Sequence, residues 1–362
     1  MISSPKQNRR VFLKKAGAIS LASAFPGILI PKKKNSIGIA LVGLGYYSTD
    51  LLAPAFNFTK HCHLAGIVTG TPEKIPVWQE KYGIKDSNVY NYENMHQVAD
   101  NDEIDVLYIV LPNSLHREYS IIAAQAGKHV FCEKPMAVTE KECLDMITAC
   151  RKNKVKLTIG YRMQHEPNTQ TIIKYARTKP FGAIEEVTAE AGFHERRTGH
   201  WRLKKSMGGG VMYDMGVYSL NATRYTTGEE PEAVTASHTT TRPEMFDEVD
   251  ETTHFTLEFS GGAVARCKTS FGMSLNSLRV NCEKGWYELQ PFQSYSGIQG
   301  KTSDGIVLNA EVDNQQARQM DNDSLAIIEN TNVLVPGEEG LKDVRIVEAV
   351  YRSAALGERV EL

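Results

Sequence analysis

Short apolar runs and amphipathic segments alternate along the first half of the chain. The apolar runs are typical of buried strands, and in each intervening segment apolar residues recur at helical spacing. Regular alternation of this kind predicts a parallel sheet with helices on both faces. The predicted strands are 37–42, 64–69, 104–110, 129–132 and 155–159, and the predicted helices are 47–58, 72–82, 115–126 and 139–152.

The pattern changes near Gly160, after which strand-like runs dominate. Successive strands without helices between them favour antiparallel pairing. The second half is therefore predicted to be an α+β domain with a large, mostly antiparallel open sheet and helices on one face. Its predicted strands are 184–192, 233–241, 252–259, 263–270 and 277–282, and its predicted helices are 167–178, 207–227, 317–330 and 341–356.

The N-terminus carries a pair of arginines, Arg9 and Arg10, before a weakly apolar stretch over 16–26. This arrangement is typical of a twin-arginine export signal, although a basic tail can contain such a pair by chance. We therefore predict a signal peptide over 1–24, a short connector over 25–36 and a periplasmic location. The twin-arginine route carries folded proteins, typically ones that have already bound a cofactor.

Charge and cysteine spacing exclude several classes of protein. The net charge of −2 over 362 residues argues against a nucleic-acid binder held by phosphate contacts. No apolar run reaches the roughly 18 residues of a membrane span. None of the six cysteines forms a C-x-x-C pair, so no metal site is predicted and the cysteines are interpreted as buried apolar residues.

The turn after the first predicted strand carries Gly43, Gly45 and Ser48 in the order G-x-G-x-x-S. Between a strand and a helix this spacing predicts a dinucleotide site. Gly43 permits the tight turn, Gly45 lets the backbone approach a pyrophosphate, and Ser48 is small enough for the helix to pack on the strand. Tyr46 and Tyr47 belong to the same predicted cofactor-binding set. The alternative is a glycine turn with a purely structural role.

The end of the second predicted strand bears on the choice between NAD and NADP. An acidic residue there would bind the ribose 2′-hydroxyl of NAD, but Thr69 and Gly70 occupy the position. The hydroxyls of Thr69 and Thr71 and the cation of Lys74 are suited to a 2′-phosphate. NADP is therefore the predicted cofactor, and NAD stays possible if Glu73 reaches the ribose.

Two further segments carry groups suited to proton transfer. Glu133-Lys134-Pro135 closes a parallel strand, at the edge where open α/β sheets bind ligands, and Pro135 is a candidate for a cis bond. Asp214 and Tyr218 are four residues apart, so both project from one face of a helix. Beside Lys134 they would form a group that takes up and releases a proton. The alternatives are a surface ion pair for Lys134 and structural roles for the other two.

In combination these motifs resemble the glucose–fructose oxidoreductase / inositol dehydrogenase family, and within it the periplasmic members. The resemblance covers most of the chain after the connector and rests on the glycine turn and on 112–116, 133–135, 160–162, 201–203, 208–225 and 336–340. It implies a Rossmann domain, an α+β domain and hydride transfer between a nicotinamide and a carbinol carbon of a sugar or polyol.

The resemblance also implies roles for individual residues. Lys134 corresponds to the catalytic lysine, Asp214 to the family's acid, and Tyr218 to the proton acceptor, where most members carry histidine. Further cofactor contacts are implied for Leu111, Pro112, Asn113, His116, Glu133 and Arg162. The implied sugar site is lined by Tyr161, Arg162, His200, Trp201 and Arg202, together with Asp214 and Tyr218.

The first functional hypothesis is an exported NADP-dependent sugar oxidoreductase, with a Rossmann domain over 37–159 and a substrate and oligomerisation domain over 160–362. A second sugar could return the hydride and recycle a tightly bound cofactor. The alternative is a glycoside hydrolase or lyase that uses bound NAD(P) transiently; a non-enzymatic nucleotide sensor fits the catalytic group less well. The expected partners are a small sugar and further copies of the chain, as a homodimer or homotetramer, with no nucleic acid and no membrane span.

Overall fold

The computed structural model describes residues 34–362. The predicted signal peptide over 1–24 and most of the predicted connector therefore lie outside the described residues. Residues Asn35–Leu362 form one compact unit that contains two sheets. Within this described part, no helix has both the length and the apolar character needed to cross a membrane.

The first sheet has six parallel strands in the order β3-β2-β1-β4-β5-β6. The strand order reverses between β1 and β4, so the connections leave these two strands in opposite directions and open a crevice at their carboxyl ends. Ligands of open α/β sheets bind in this crevice. The strands are β1 Ile37–Val42, β2 Cys62–Val68, β3 Val89–Tyr90, β4 Val106–Ile109, β5 His129–Cys132 and β6 Leu157–Ile159.

Helical segments connect these strands. The first of them consists of a π-helical turn Tyr47–Leu52, α1 Ala53–Ala55 and a 3-10 turn Phe56–Phe58; it is followed by α2 Lys74–Tyr82, α3 His116–Gln125 and α4 Glu140–Lys152. Helix α4 begins where it does because Thr139 and Glu142 form a capping box. The Thr139 hydroxyl accepts from the Glu142 amide at 3.2 Å, and the Glu142 carboxylate accepts from the Thr139 amide at 3.1 Å.

The second sheet has nine strands in the order β14-β13-β12-β11-β7-β10-β9-β8-β15. Its pairs are antiparallel except for β7 and β10, which run parallel. The strands are β7 Ile184–Gly192, β8 Pro231–Thr239, β9 Thr252–Phe259, β10 Val264–Ser270, β11 Leu275–Cys282, β12 Gly285–Leu289, β13 Gly300–Thr302, β14 Val307–Leu308 and β15 Val360–Glu361. Buried and half-buried positions alternate along β11, as expected of a sheet with one covered face.

The remaining helices are α5 Pro167–Thr178, α6 Val217–Thr227, which follows a π-helical turn Met212–Gly216, α7 Gln315–Ile328 and α8 Gly337–Leu356. Helix α6 packs on β7 and β10, and α8 packs on β8. Helix α7 instead returns to the first sheet, where Ala317 and Met320 share an apolar core with Leu41 and Phe131.

The predicted α/β fold class is confirmed, and β1, β5, β7, β9 and α5 have the predicted bounds. Strands β3 and β12 to β15 were not predicted, because they have only two to five residues and show no periodicity. The predicted helix over 207–227 is wrong in its first turn. Gly208 and Gly210 have φ of 72° and 112°, so the helical segment begins only at Met212.

Candidate active site

The turn after β1 has the geometry that a dinucleotide requires. Gly43 has φ of 95°, and a Cβ built on it would lie 2.5 Å from the Val110 carbonyl oxygen, so only glycine fits there. A Cβ on Gly45 would meet no atom within 4 Å, because this residue faces open space at the start of the helical segment. The Ser48 hydroxyl fixes the turn by donating to the Gly43 carbonyl oxygen at 2.6 Å. The turn therefore fits a pyrophosphate over Gly45.

The predicted ribose site at the end of β2 lies beside this turn. The Lys74 ammonium donates to the Leu44 carbonyl oxygen at 2.6 Å, which places its charge at the edge of the glycine turn. The buried Thr69 hydroxyl accepts from the Thr71 amide at 3.1 Å, and Gly70 between them is exposed. The structure thus brings the predicted NADP-binding residues to one place.

Strand β5 and the helical segment that ends in α6 bring the three predicted catalytic residues together. The Lys134 ammonium donates to the Asp214 carbonyl oxygen at 2.7 Å and lies 3.4 Å from Asp214 Oδ1. It also stands 4.5 Å from the centroid of the Tyr218 ring, a cation–π contact. The Lys134–Pro135 peptide is cis, as the sequence suggested. Lys134 is therefore the common neighbour of the acid and the phenol.

Two cations hold Asp214 in its ionised form. Arg202 Nε donates to Asp214 Oδ2 at 2.7 Å, and Lys134 faces the other carboxylate oxygen. Burial by itself raises the pKa of this carboxyl, but the charges of Arg202 and Lys134 outweigh it and lower the pKa of Asp214 to about 2. The carboxylate therefore stays charged at neutral pH and fixes the Lys134 ammonium beside the Tyr218 ring.

Glu133 is buried behind Lys134. The Tyr108 hydroxyl donates to Glu133 Oε1 at 2.7 Å, and Gln319 of α7 donates to the Tyr108 hydroxyl oxygen at 3.1 Å. Burial raises the pKa of Glu133, while the Tyr108 hydrogen bond and the Lys134 charge act in the opposite direction. A Cβ on Gly160 would lie 2.8 Å from Glu133 Oε1, so glycine makes room for this carboxyl group. Glu133 therefore anchors the strand end that carries Lys134.

The loop after β4 carries four predicted cofactor residues. Leu111 and Pro112 are half-buried, and Asn113 is buried and donates at 2.7 Å to a backbone carbonyl of the loop that precedes α6. His116 is buried between two backbone carbonyls: Nδ1 lies 2.8 Å from the Pro135 oxygen and Nε2 lies 2.9 Å from the Leu111 oxygen. Burial lowers the pKa of His116 and favours the neutral ring, whose single N–H donates to one of these two carbonyl oxygens. His116 therefore lies between the loop after β4 and the turn at Pro135, and its contact with the cofactor stays a prediction.

Arg162 is buried with 1% of its surface exposed, and it lies at the back of the site. Its guanidinium donates to the carbonyl oxygens of Gln293 and Ser294, the latter at 3.0 Å, and to the side chain of Gln315. Its Cζ is 5.7 Å from the centroid of the Tyr218 ring. Arg162 therefore holds this loop and brings its charge beside Tyr218, while its buried Nε has no hydrogen-bond partner among the described residues. The contact of Arg162 with cofactor or sugar stays a prediction.

Tyr161 is a core residue and not a wall of the sugar site, contrary to the prediction. Its ring is buried, and burial and then the neighbouring Asp343 carboxylate raise the pKa of Tyr161. Asp343 belongs to α8 and pairs with Arg224 at 2.5 Å. The Tyr161 hydroxyl therefore faces a buried ion pair between α6 and α8.

His200, Trp201 and Arg202 form a partly exposed rim above the catalytic residues. His200 Nδ1 accepts from the Arg202 amide at 3.4 Å, which caps the 3-10 turn Trp201–Leu203. The Arg202 Cζ lies 4.9 Å from the Trp201 ring centroid, while its Nε binds Asp214. This turn places the three predicted substrate residues next to the catalytic acid.

The two tyrosines of the glycine turn point in different directions. Tyr46 is 62% exposed, whereas the Tyr47 ring is half-buried and lies 6.1 Å from the ring of Tyr295, measured between centroids. Burial and then the charge of Glu133 raise the pKa of Tyr47. Tyr47 therefore faces the catalytic group and Tyr46 faces outward.

Sequence reasoning missed three tyrosines near the site. Tyr295 reaches it from the loop over 290–299, and Tyr92 packs so closely on the end of β2 that a Cβ on Gly70 would lie 2.9 Å from its ring. Both lie in irregular segments without periodicity, so no sequence signal pointed to them. Tyr108 lies inside the apolar strand β4 and is indistinguishable in sequence from a core residue.

Two family models match the chain. Residues 37–161 match a model described as an oxidoreductase family with an NAD-binding Rossmann fold. Residues 169–288 match the GFO/IDH/MocA C-terminal domain. The two matches follow the first sheet and the central strands of the second.

Individual relatives match across both sheets. The D-xylose 1-dehydrogenase (NADP(+)) of Haloarcula marismortui is 27% identical over 352 residues, which cover 91% of this chain and 94% of the relative. The D-glucoside 3-dehydrogenase of Escherichia coli is 25% identical over 351 residues, covering 91% and 98%. The crystal structure of an aldose-aldose oxidoreductase from Caulobacter crescentus, complexed with glycerol, is similar with a TM-score of 0.87 and 41% identity, covering 90% of this chain and 100% of that chain.

Proposed function

Because the chain belongs to the GFO/IDH/MocA family of NAD(P)-dependent oxidoreductases, we propose that it transfers a hydride between NADP and a carbinol carbon of an aldose or polyol. The observation that carries the proposal is the position of Lys134, in contact with both Asp214 and the Tyr218 ring at the sheet edge that also bears the glycine turn. The names of the relatives, which include aldose and glucoside enzymes, support a sugar as the substrate.

The cofactor and the catalytic residues have separate roles in the proposed reaction. A nicotinamide bound at the glycine turn would supply the hydride acceptor for a carbinol carbon and the hydride donor for a carbonyl carbon. Tyr218 takes up the proton of the substrate hydroxyl at its phenol oxygen. The Lys134 ammonium, 4.5 Å from the Tyr218 ring, stabilises the negative charge on the phenol and substrate oxygens. In the reverse direction Tyr218 gives the proton back as the carbonyl is reduced.

The charge distribution at the end of β2 supports NADP as the preferred cofactor. Lys74 lies at the edge of the glycine turn, and Thr69 and Thr71 adjoin it without a carboxylate in their hydrogen bonds. A cation and hydroxyl groups suit a 2′-phosphate, whereas a carboxylate at this place would suit the free ribose of NAD.

We further propose that the enzyme works in the periplasm with a retained cofactor. The paired Arg9 and Arg10 support export by the twin-arginine route, and the aldose-aldose relative supports a cycle with two sugars. One aldose is oxidised and a second carbonyl sugar is reduced, so that NADP is regenerated without exchange. Protein purified from the periplasm without added nucleotide is expected to release stoichiometric NADP(H) on denaturation. An empty protein, or unchanged export after replacement of both arginines by lysine, contradicts this part of the proposal.

The polar face of the second sheet supports self-association as a homodimer or homotetramer. On this face Lys268 of β10 lies in register between Glu190 of β7 and His254 of β9. Interspersed charges of both signs suit pairing with the same face of a second copy. Light scattering is expected to give the mass of two or four chains, and the mass of one chain contradicts the assembly.

Replacing Tyr218 by phenylalanine tests the proposed reaction. We expect Tyr218→Phe to lower kcat by about 100-fold or more, since proton transfer by a positioned side chain contributes that much. Tyr175→Phe is the matched control, because the ring of Tyr175 in α5 packs against Phe181 and Tyr287 rather than against a catalytic residue. NADPH formation, and the reduction of a second carbonyl sugar to its alcohol, are followed with a panel of aldoses and polyols. Undiminished turnover of Tyr218→Phe overturns the mechanism, and aglycone release from aryl glycosides without net NADPH favours the glycoside-cleaving alternative.

A further inference from the structure

Tyr295 reaches the catalytic group from an element that the mechanism has not used. It lies in the loop over 290–299, which connects β12 and β13 of the second sheet. Its ring centroid is 6.1 Å from that of Tyr47, at the start of the first helical segment, and 4.6 Å from the Arg162 guanidinium carbon. The loop therefore extends from the second sheet to the glycine turn of the first.

Several side chains hold this loop in a fixed shape. Arg162 donates to the carbonyl oxygens of Gln293 and Ser294, directly before Tyr295. The side-chain oxygen of Asn276 accepts from the backbone amides of Phe292 and Gln293 at 2.8 and 3.0 Å. Its side-chain nitrogen donates to the Ser294 hydroxyl at 2.9 Å. Ordering a loop costs conformational entropy, and these bonds offset that cost before any ligand arrives.

Tyr295 and Tyr218 flank the same guanidinium. The Arg162 carbon lies 4.6 Å from the Tyr295 ring centroid and 5.7 Å from the Tyr218 ring centroid. Partial burial, and then the proximity of Tyr218, raise the pKa of Tyr295 and outweigh the opposite effect of the Arg162 charge. The Tyr295 hydroxyl is therefore a neutral group that can both donate and accept a hydrogen bond.

The side chain of Tyr295 remains accessible to a ligand. It is 42% exposed although its loop is tightly anchored, and its hydroxyl makes no hydrogen bond within residues 34–362. An exposed aromatic ring with a free hydroxyl, held rigidly beside a reacting group, has the properties of a ligand contact. Aromatic rings offer a large apolar surface at small entropic cost, and tyrosine adds a polar end.

We propose that Tyr295 is a substrate-contacting residue that selects cyclic sugars. Its ring packs against the apolar C–H face of a pyranose, and its hydroxyl binds a sugar hydroxyl while a neighbouring carbinol group faces Tyr218. Arg162 and Asn276 are positioning residues that act through the loop. This inference rests on the proposed sugar oxidoreductase function and adds the ring form of the substrate to it.

Two substitutions at Tyr295 separate the ring from the hydroxyl. In Tyr295→Phe the KM for a cyclic aldose is expected to rise about fivefold, as for loss of one neutral hydrogen bond, with a smaller change in kcat. In Tyr295→Ala the KM is expected to rise by about 20-fold or more, because the apolar platform is lost as well. The KM for acyclic polyols should change less in both variants. D-xylose and D-glucose, against sorbitol and glycerol, are the probes.

The controls remove equivalent groups elsewhere. Tyr175→Phe removes a hydroxyl from a tyrosine of α5, and Phe58→Ala removes a ring that is 53% exposed at the end of the first helical segment. Both should keep the wild-type KM. Cofactor content and thermal unfolding are measured for every variant, so that a folding defect is separated from a loss of sugar binding.

The outcomes distinguish this inference from the function on which it rests. A wild-type enzyme that neither reduces NADP nor transfers a hydride to a second sugar with any member of the panel overturns both. An active wild type with unchanged KM for cyclic aldoses in Tyr295→Phe and Tyr295→Ala overturns the assignment of Tyr295 alone. Equal rises in KM for cyclic and acyclic substrates overturn the selection of rings.

Discussion

At the scale of single residues, the charge of Asp214 decides how the catalytic group is held. Its carboxylate faces Arg202 on one oxygen and Lys134 on the other. Replacing it by a neutral amide would leave two cations in a largely buried place without their counter-charge. Removing one partner of a buried ion pair is costly for that reason.

We expect Asp214→Asn to lower the free energy of unfolding by about 3 kcal/mol at neutral pH, at the lower end of the usual range because Arg202 is partly exposed. The folded pKa of about 2 lies below the ordinary value, so the ionised form stabilises the fold above about pH 4. That contribution is lost as the pH falls through 2.

Denaturant unfolding from pH 7 to pH 2 measures this effect. The difference between wild type and Asp214→Asn should be constant down to about pH 4 and shrink below it. Asp313→Asn, which removes an exposed carboxylate after β14, should unfold like wild type throughout. A difference that persists unchanged at pH 2 would falsify the assignment of the charge to Asp214.

Lys74 is a second single residue with a testable role, in the choice between NADP and NAD. If its ammonium binds the 2′-phosphate, Lys74→Ala should raise the Kd for NADP by about tenfold, the value of a charge-assisted hydrogen bond. The Kd for NAD, which lacks that phosphate, should change little. Lys81→Ala on the same helix is the control, and fluorescence titration with both cofactors is the measurement. Equal losses for the two cofactors would show that Lys74 only supports the turn through Leu44.

The sequence was sufficient to predict that Lys134, Asp214 and Tyr218 lie close together, because regular elements determine their positions. A residue at the carboxyl end of a parallel strand, and two residues four apart on a helix, have places that periodicity alone defines. No such pattern in the sequence defines the position of Tyr295. Its approach depends on contacts of the loop with Arg162 and on a fold that brings the second sheet to the first.

At the scale of elements, the segment that carries the catalytic acid and phenol depends on how it begins. Asp250, just before β9, accepts from the Met212 amide at 2.9 Å and so satisfies the first turn. The Tyr351 hydroxyl of α8 and the Thr253 hydroxyl each donate to the same carboxylate at 2.7 Å. Asp250 therefore ties the start of this segment to both the second sheet and α8.

Asp250→Ala is expected to cost about 1–2 kcal/mol of stability, as loss of a helix cap does, and to lower kcat because Asp214 and Tyr218 shift together. Thr139→Ala is the matched control, since Thr139 caps α4, which carries no catalytic residue. The control should lose similar stability and keep its kcat. Thermal unfolding and steady-state kinetics are the measurements, and an equal effect on kcat in both variants contradicts the assignment.

Elements with strong local signals could be predicted with their bounds, and weaker ones could not. Helix α5 starts with Pro167, whose missing N–H suits the first helical position, and it was predicted from 167 to 178. The start of the helical segment at Met212 was not predicted. Gly208 and Gly210 continue the apolar pattern in the sequence, but their backbone lies outside the helical region. Family and enzyme class, which rest on motifs rather than bounds, are confirmed.

At the scale of the whole molecule, the six cysteines behave as the spacing suggested. All of them are free and buried, and burial raises the pKa of each thiol. We expect the native protein to be inert to an aromatic disulfide reagent at pH 7 and to release six equivalents of thiol after denaturation. Rapid reaction of the folded protein, or fewer thiols after unfolding, contradicts this expectation.

Helix α7 has a consequence for the order in which the molecule is completed. It supplies Ala317 and Met320 to the core of the first sheet and Gln319 to the Tyr108 hydroxyl, while its Asp321 accepts from the His61 amide at 2.8 Å. During synthesis the strands of the first sheet leave the ribosome early, but the part of one face that α7 covers stays exposed until residues 315–328 follow. The nucleotide-binding half is thus synthesised first but completed late, and a nascent chain that is stopped before α7 exposes part of this apolar face to chaperones.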